Sequence, residues 1–294
     1  MKKVVLIAVI CFFLFSSESN HLHTILQSGI ATDEKIELKY PIVLVHGIAR
    51  NDKGRHFQPW GRIPRVLREN GIEVYFGNTD AWGNIISNAE LLKATIDSIL
   101  ENTKHERVNI IAHSKGGIDS RYLIWKYDYG DKVASLTTVS TPHGGAEIAD
   151  FFFNSSIIHT ESARKQLRAA GRAFGDVHPD MYSVNQNLTT ENMGVFNKIV
   201  TRDARVYYQV IYSVMNDPAD DPIFFFSYTH IKNISGENDG LVSEKSARWG
   251  SNPIKLAASI SHDQIIDQGR EKFPGMEIPI IYLEIIRDLA GKGF

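Results

Sequence analysis

The chain has 294 residues, 43% of them hydrophobic and 22% charged, with a formal net charge of -2. That length suits one large α/β domain or two small ones, and the near-neutral charge gives no electrostatic case for a nucleic-acid partner. The sequence holds no internal repeat and no low-complexity tract.

Lys2 and Lys3 precede an unbroken apolar run, residues 4–15, followed by Ser16, Ser17, Glu18 and Ser19. This is the layout of a secretory signal peptide over residues 1–19, cleaved near Ser19. The run falls short of the roughly 20 apolar residues that span a bilayer, so no stable transmembrane span is expected after cleavage; an uncleaved anchor is the alternative. In Ala8-Val9-Ile10 the residue just before Cys11 is not the small one expected before a lipidated cysteine. Cys11 is the only cysteine, so the exported chain, secreted or periplasmic, would stand without disulfides, on core packing or with the help of a metal.

Residues 20–39 are a polar lead-in to a domain expected over 20–294. Residues 42–45 form a short apolar run after Pro41, as a fully buried strand does, and end in His46-Gly47-Ile48-Ala49. Residues 60–70 read as a helix stopped by Gly71, and 73–76 as the next strand. Ile85, Ala89, Leu92, Ile96 and Ile99 recur at helical spacing. Residues 108–112 are another buried strand, 116–127 a helix, and 133–140 a strand ending in Thr141-Pro142-His143-Gly144-Gly145. The alternation implies a parallel sheet with helices on both faces. It breaks from about 146 to 205, where helical stretches, three consecutive phenylalanines (Phe151, Phe152 and Phe153) and polar loops suggest an inserted lid or cap. Residues 206–213 resume the sheet, and 280–290 close the chain as a helix after Pro279.

The sequence Val-Asn-Ile-Ile-Ala-His-Ser-Lys-Gly-Gly, residues 108–117, places Ser114 between a buried strand and a helix. A sharp strand-to-helix turn lifts a nucleophilic hydroxyl clear of a sheet. Such a turn needs small residues two before and two after the serine, here Ala112 and Gly116, with Gly117 packing the helix on the strand. The usual first glycine is replaced by alanine, a difference of one methyl. The alternative is that Ser114 only caps the helix.

A serine hydrolase of this kind needs an acid and then a histidine downstream of the serine. Beyond residue 230 the chain has one histidine, His262. The acid candidate is Asp239, in Asn238-Asp239-Gly240 ahead of an apolar pair; alone it reads as a turn aspartate. Two backbone N–H groups should hold an oxyanion, those of Lys115, next after the serine, and Ile48, beyond a Gly47 that lets the chain turn tightly. Gly144 and Gly145 lack the Lys-Ser/Thr pair of a phosphate loop and read as a turn beside the site.

PIVLVHGIA, NIIAHSKGG, STPHGG and NDGLVS, in this order, resemble the secreted bacterial triacylglycerol lipases of the α/β-hydrolase fold. The resemblance runs from about residue 40 to the C-terminus. It implies an α/β fold of mostly parallel central sheet, helices on both faces and an inserted helical lid. Residue by residue, it matches Ser114 to the nucleophile, Asp239 to the triad acid and His262 to the base, and Ile48 and Lys115 to the oxyanion-hole positions. Asn187-Leu188-Thr189-Thr190 resembles a family stretch near the lid. The implied substrate is a lipid or other ester at a lipid–water interface, with no organic cofactor. Many of these lipases bind one structural calcium through an aspartate before the triad acid and another after the histidine. Asp221 and either Asp263 or Asp267 would supply these here. The family residue usually stands two places after the histidine, whereas Asp263 stands one after. Calcium takes six to eight oxygens; a solvated acidic loop is the alternative. A phospholipid ester or an amide as substrate, or a non-catalytic surface protein of the same fold, would be the competing functions.

Overall fold

Strand β1 (Ile42–Val45) shows how the sheet is built. Its four residues are all buried, but alternate side chains enter different cores: Ile42 and Leu44 one, Val43 and Val45 the other. A strand covered on both faces must be apolar throughout, which is why it reads as an unbroken run. The structure is a computed structural model. It describes residues 36–52, 59–155, 159–173, 175–269, 273 and 276–294; the segment read as a signal peptide lies outside the described residues.

The remaining strands are β2 (Val74–Phe76), β3 (Val108–His113), β4 (Val133–Val139), β5 (Tyr207–Val214) and β6 (Ile254–Ser259). They form one sheet in the order β2-β1-β3-β4-β5-β6, every neighbour parallel. Helices α1 (Ile63–Glu69), α2 (Ile85–Thr103) and α3 (Lys115–Tyr127) alternate with the first strands. Four more, α4 (Glu147–Phe153), α5 (Glu161–Ala173), α6 (Met181–Asn187) and α7 (Thr190–Ile199), lie between β4 and β5. Helix α8 (Phe225–Ser235), the single turn α9 (Glu244–Ala247) and α10 (Ile278–Gly291) complete the chain. One face of the sheet carries α1 and α10, the other α2 and α3: Leu67 and Ile285 share a core with Ile111, while Leu92 and Leu123 share one with Ile110. This is the mostly parallel α/β fold with helices on both faces that the strand–helix alternation implies.

Three local departures from the sequence reading have physical causes. Helix α1 starts at Ile63, not at residue 60, because Pro64 belongs in a first helical turn and Gly61 before it takes φ +46°; a Cβ there would lie 2.3 Å from the Asp267 carbonyl. Strand β6 carries little apolar signal, since only Leu256 in it is buried and it lies at the sheet edge. Helix α8 follows two Asp-Pro turns and exposes Phe225 and Phe226, so no buried stripe marks it in the sequence.

Candidate active site

The carboxyl ends of β1, β3, β4 and β5 lie on one side of the sheet, where open parallel α/β folds place their sites. Between β3 and α3 the chain turns at Ser114, whose backbone takes φ 55°, ψ -131°. That is a strained conformation for any residue with a Cβ, held only because its surroundings determine it. Its surroundings are close. A Cβ on Gly47 would lie 2.6 Å from the Ser114 Cβ, and one on Gly116 would lie 2.5 Å from the His46 carbonyl and 2.6 Å from that of Val45. The small residue two places after the serine therefore faces the end of β1. Gly117 meets Thr141 in the loop after β4, and Gly47 makes room for the serine itself, at a φ any residue adopts.

Ser114, His262 and Asp239 stand in one hydrogen-bonded line. His262 Nε2 is 2.9 Å from Ser114 Oγ, and His262 Nδ1 is 2.8 Å from Asp239 Oδ2. The carboxylate fixes the tautomer: Nδ1–H donates to Asp239, leaving Nε2 to accept from the serine hydroxyl. Asp239 Oδ1 takes the amides of Leu241 (3.0 Å) and Val242 (2.8 Å), and the Asp239 carbonyl takes the His262 amide at 2.8 Å. The turn aspartate and the histidine's partner are thus one residue using its two oxygens separately. Burial pushes the His262 imidazolium down, but the charge and hydrogen bond of Asp239 outweigh it and hold the ring above its ordinary value.

The neighbouring His113 is fully buried and donates Nε2–H to the His262 carbonyl at 2.9 Å. Burial, and then the adjacent His262 ring 4.6 Å away, keep its pKa well below the ordinary histidine range. The sequence reading passed over it because its role lies in the backbone of a residue 149 positions away.

Lys115 follows the serine directly at the start of α3 and Ile48 follows Gly47, which packs against Ser114; neither amide meets an acceptor among the described residues. Gly144 and Gly145 do form a turn: the Gly144 amide reaches Ser246 O and Oγ, both at 3.1 Å, and Gly145 takes φ +93°. His143 between them and Pro142 is buried; it accepts from Arg121 at Nδ1 (3.1 Å) and donates to Thr138 Oγ1 (3.0 Å). Burial lowers the Arg121 guanidinium to about 9, and the cation sits 4.0 Å over the Trp249 ring.

The three aspartates considered for calcium are not brought together. Asp221 accepts from Ser261 Oγ at 2.6 Å. Asp263 is ion-paired with Arg50. Asp267, with its side chain 2% exposed, is held by the Arg62 guanidinium at 2.6 Å and 2.9 Å and by the Arg62 amide at 2.6 Å. Among the described residues no three His, Cys, Asp or Glu side chains are placed to hold a metal ion. A calcium ion needs carboxylate oxygens that converge and are free to bind it; those of Asp263 and Asp267 are instead taken up by Arg50 and Arg62. No helix of the described residues is long and apolar enough to cross a membrane.

A parallel sheet with a strained serine turn at the carboxyl end of its third strand defines the chain as an α/β-hydrolase. Residues 41–208 match the family model of the palmitoyl protein thioesterases, and the chain belongs to that family. The match includes Ser114 and stops short of Asp239 and His262. The chain is similar to a triacylglycerol lipase of Burkholderia plantarii, 29% identical over 184 residues, which are 61% of this chain and 50% of the relative. It is also similar to a triacylglycerol lipase of Vibrio cholerae, 33% identical over 213 residues, 67% of this chain and 64% of the relative. The chain thus spans about half to two thirds of the length of these relatives. The crystal structure of Staphylococcus hyicus lipase superimposes with a TM-score of 0.68 at 18% identity, over 90% of this chain and all of the other, a likeness of fold.

Proposed function

We propose that this chain is a serine hydrolase that cleaves carboxylic esters of lipids, acting as a triacylglycerol lipase through an acyl-enzyme. The observation that carries the reading is the Asp239–His262–Ser114 line with contacts of 2.8 Å and 2.9 Å at a strained turn. Ser114 attacks the ester carbonyl while His262 Nε2 takes the hydroxyl proton, and the amides of Ile48 and Lys115 receive the negative oxygen. His262 then protonates the departing alkoxide. A water, deprotonated by His262, attacks the acyl-enzyme and releases the fatty acid. Asp239 keeps the imidazole in the required tautomer throughout.

The similarity to triacylglycerol lipases supports a lipid ester as substrate. An apolar surface supports a lipid–water interface as the place of action. Phe151 on α4 packs its ring 5.6 Å from Phe226 on α8 and 5.5 Å from Phe152, yet all three remain near half exposed, and Ile223 beside them is 82% exposed. The reverse side of the same segment reaches the site: Phe224 packs against Gly240, next to Asp239. The insertion between β4 and β5 is the lid in this reading, and the N-terminal pattern takes the protein to the periplasm or outside. An acyl thioester is a second candidate, favoured by the family match; the same acyl-enzyme would form, with a thiol as leaving group.

Rates on an emulsified long-chain triacylglycerol, a soluble short-chain ester, a phospholipid and a palmitoyl thioester test the proposal. Greatest turnover on the emulsion, abolished in Ser114→Ala, is the expected result. A preference for the thioester would move the assignment to the second reading. No hydrolysis in any arm by folded protein would leave a non-catalytic protein.

A further inference from the structure

The side chain of Lys115 does something its backbone role does not require. Its ammonium is buried, and donates to both oxygens of Asp119, one turn along α3, at 2.7 Å each. Asp119 also accepts from Asn88 Nδ2 at 3.0 Å, and Asn88 pairs with the backbone of Asp80 in both directions, Nδ2 to the Asp80 carbonyl and Oδ1 from the Asp80 amide, each at 3.0 Å.

Asp80 and Asp176 then make reciprocal ties across to the insertion. The Asp80 carboxylate accepts the amides of Val177 (3.0 Å) and His178 (2.6 Å), while the Asp176 carboxylate accepts those of Ala81 (2.9 Å) and Trp82 (2.8 Å). Gly83 and Pro179 pair beside them as an isolated antiparallel bridge. The other oxyanion arm reaches the same loop: the Ala49 amide, next after Ile48, donates to the Ala81 carbonyl at 3.1 Å. Both proposed oxyanion donors and the insertion are therefore fastened to residues 79–84.

We propose that Lys115, Asp119 and Asn88 are positioning residues that tie the oxyanion hole to the insertion through the loop at Asp80. The proposal rests on the reading of Ile48 and Lys115 as oxyanion donors. A buried ion pair is a poor device for stability alone, since apolar residues of similar size often serve as well or better. What it adds is direction: it fixes the first turn of α3, and with it the amide that must point at the oxyanion. The Asp80 and Asp176 ties make that orientation depend on residues 176–178 of the insertion being docked.

The test is the double substitution K115M/D119L, which keeps the residue 115 amide and replaces the ion pair with apolar side chains. The variant should still fold, with a melting temperature lowered at most by the buried Asn88 N–H that loses Asp119 as its acceptor. Its kcat on a soluble ester should fall about tenfold or more with KM little changed, because misplacement of a reacting group by a fraction of an ångström is costly. A thionoester analogue supplies the decisive ratio, since its sulfur accepts hydrogen bonds poorly and gains little from the hole. The ester-to-thionoester rate ratio should fall in the variant. An unchanged kcat and ratio in folded K115M/D119L would overturn the proposal. Should the double variant not fold, Asn88→Ala severs the same connection and is held to the same ratio. Ser114→Ala, assayed alongside, separates the two failures: residual hydrolysis there would remove the serine reading itself, whatever the ratio shows.

Discussion

Asp239→Asn perturbs one atom and has a consequence that the geometry dictates. In the native site Oδ1 accepts two backbone amides, from Leu241 and Val242, and Oδ2 accepts from His262 Nδ1. An asparagine satisfies the two amides only by placing its oxygen there, which turns its NH₂ toward His262. Nδ1 must then accept, so Nε2 carries the proton and points it at Ser114 Oγ, where it cannot take the serine's proton. The productive tautomer requires the amide to flip, setting NH₂ against two N–H donors. Leaving two buried donors unmet costs about 1–3 kcal/mol each, about 2–6 kcal/mol together, so the productive form falls about 30-fold to about 10⁴-fold. The upper end agrees with the loss on the order of 10⁴ known for this change in a serine triad. Steady-state kcat on a soluble ester, with circular dichroism to show the fold intact, measures it. A loss below about tenfold would refute the reasoning, and inactivation by Glu237→Gln or Asp221→Asn in its place would move the acid elsewhere.

The pH profile has a defined sign: only neutral His262 accepts a proton, so kcat/KM should rise with pH through the raised His262 value, with a midpoint above the ordinary 6.5 of histidine. Asp239→Asn should move that midpoint downward, and an unmoved acid limb would deny the coupling. The same shift makes the Asp239–His262 pair a stabilising contribution that is full below the unfolded histidine pKa and lost as pH rises through the folded one. Because Asp263 and Asp267 are held by arginines, excess chelator should leave the melting temperature unchanged, whereas Arg62→Ala, which strands the buried Asp267 carboxylate, should destabilise by about 3 kcal/mol in urea unfolding; a chelator effect that calcium reverses would show that a metal does bind.

The sheet was legible because its strands are buried on both faces, so β1 announces itself as an unbroken apolar run, and β3 and β4 as short stretches rich in apolar and β-branched residues, with helices between them. Ser114 was legible from its place at the end of such a run. Edge strand β6 was not, since half-exposed positions such as Ile254 and Lys255 carry no period that a core imposes. The partners of the aspartates were also hidden: Arg50 and Arg62 lie 213 and 205 positions from Asp263 and Asp267, and no local pattern joins them. A Lys and an Asp four residues apart on a helix ordinarily mark a solvated face, so Lys115 and Asp119 gave no sign in the sequence of being a buried pair. The small residues around the serine were recognised, but which neighbour each one faces depends on how β1 approaches α3, and that is a property of the assembled sheet.

The central claim is that Ser114 is the nucleophile, and covalent labelling tests it directly. An alkyl fluorophosphonate carrying a lipid-like chain should modify the wild-type protein once, with loss of activity in step. Peptide mass spectrometry should place the adduct on the peptide containing Ser114. Ser114→Ala should take no label, fold as the wild type does, and lose on the order of 10⁶ in turnover. An adduct on another residue, or labelling and hydrolysis that survive in Ser114→Ala, would contradict the account.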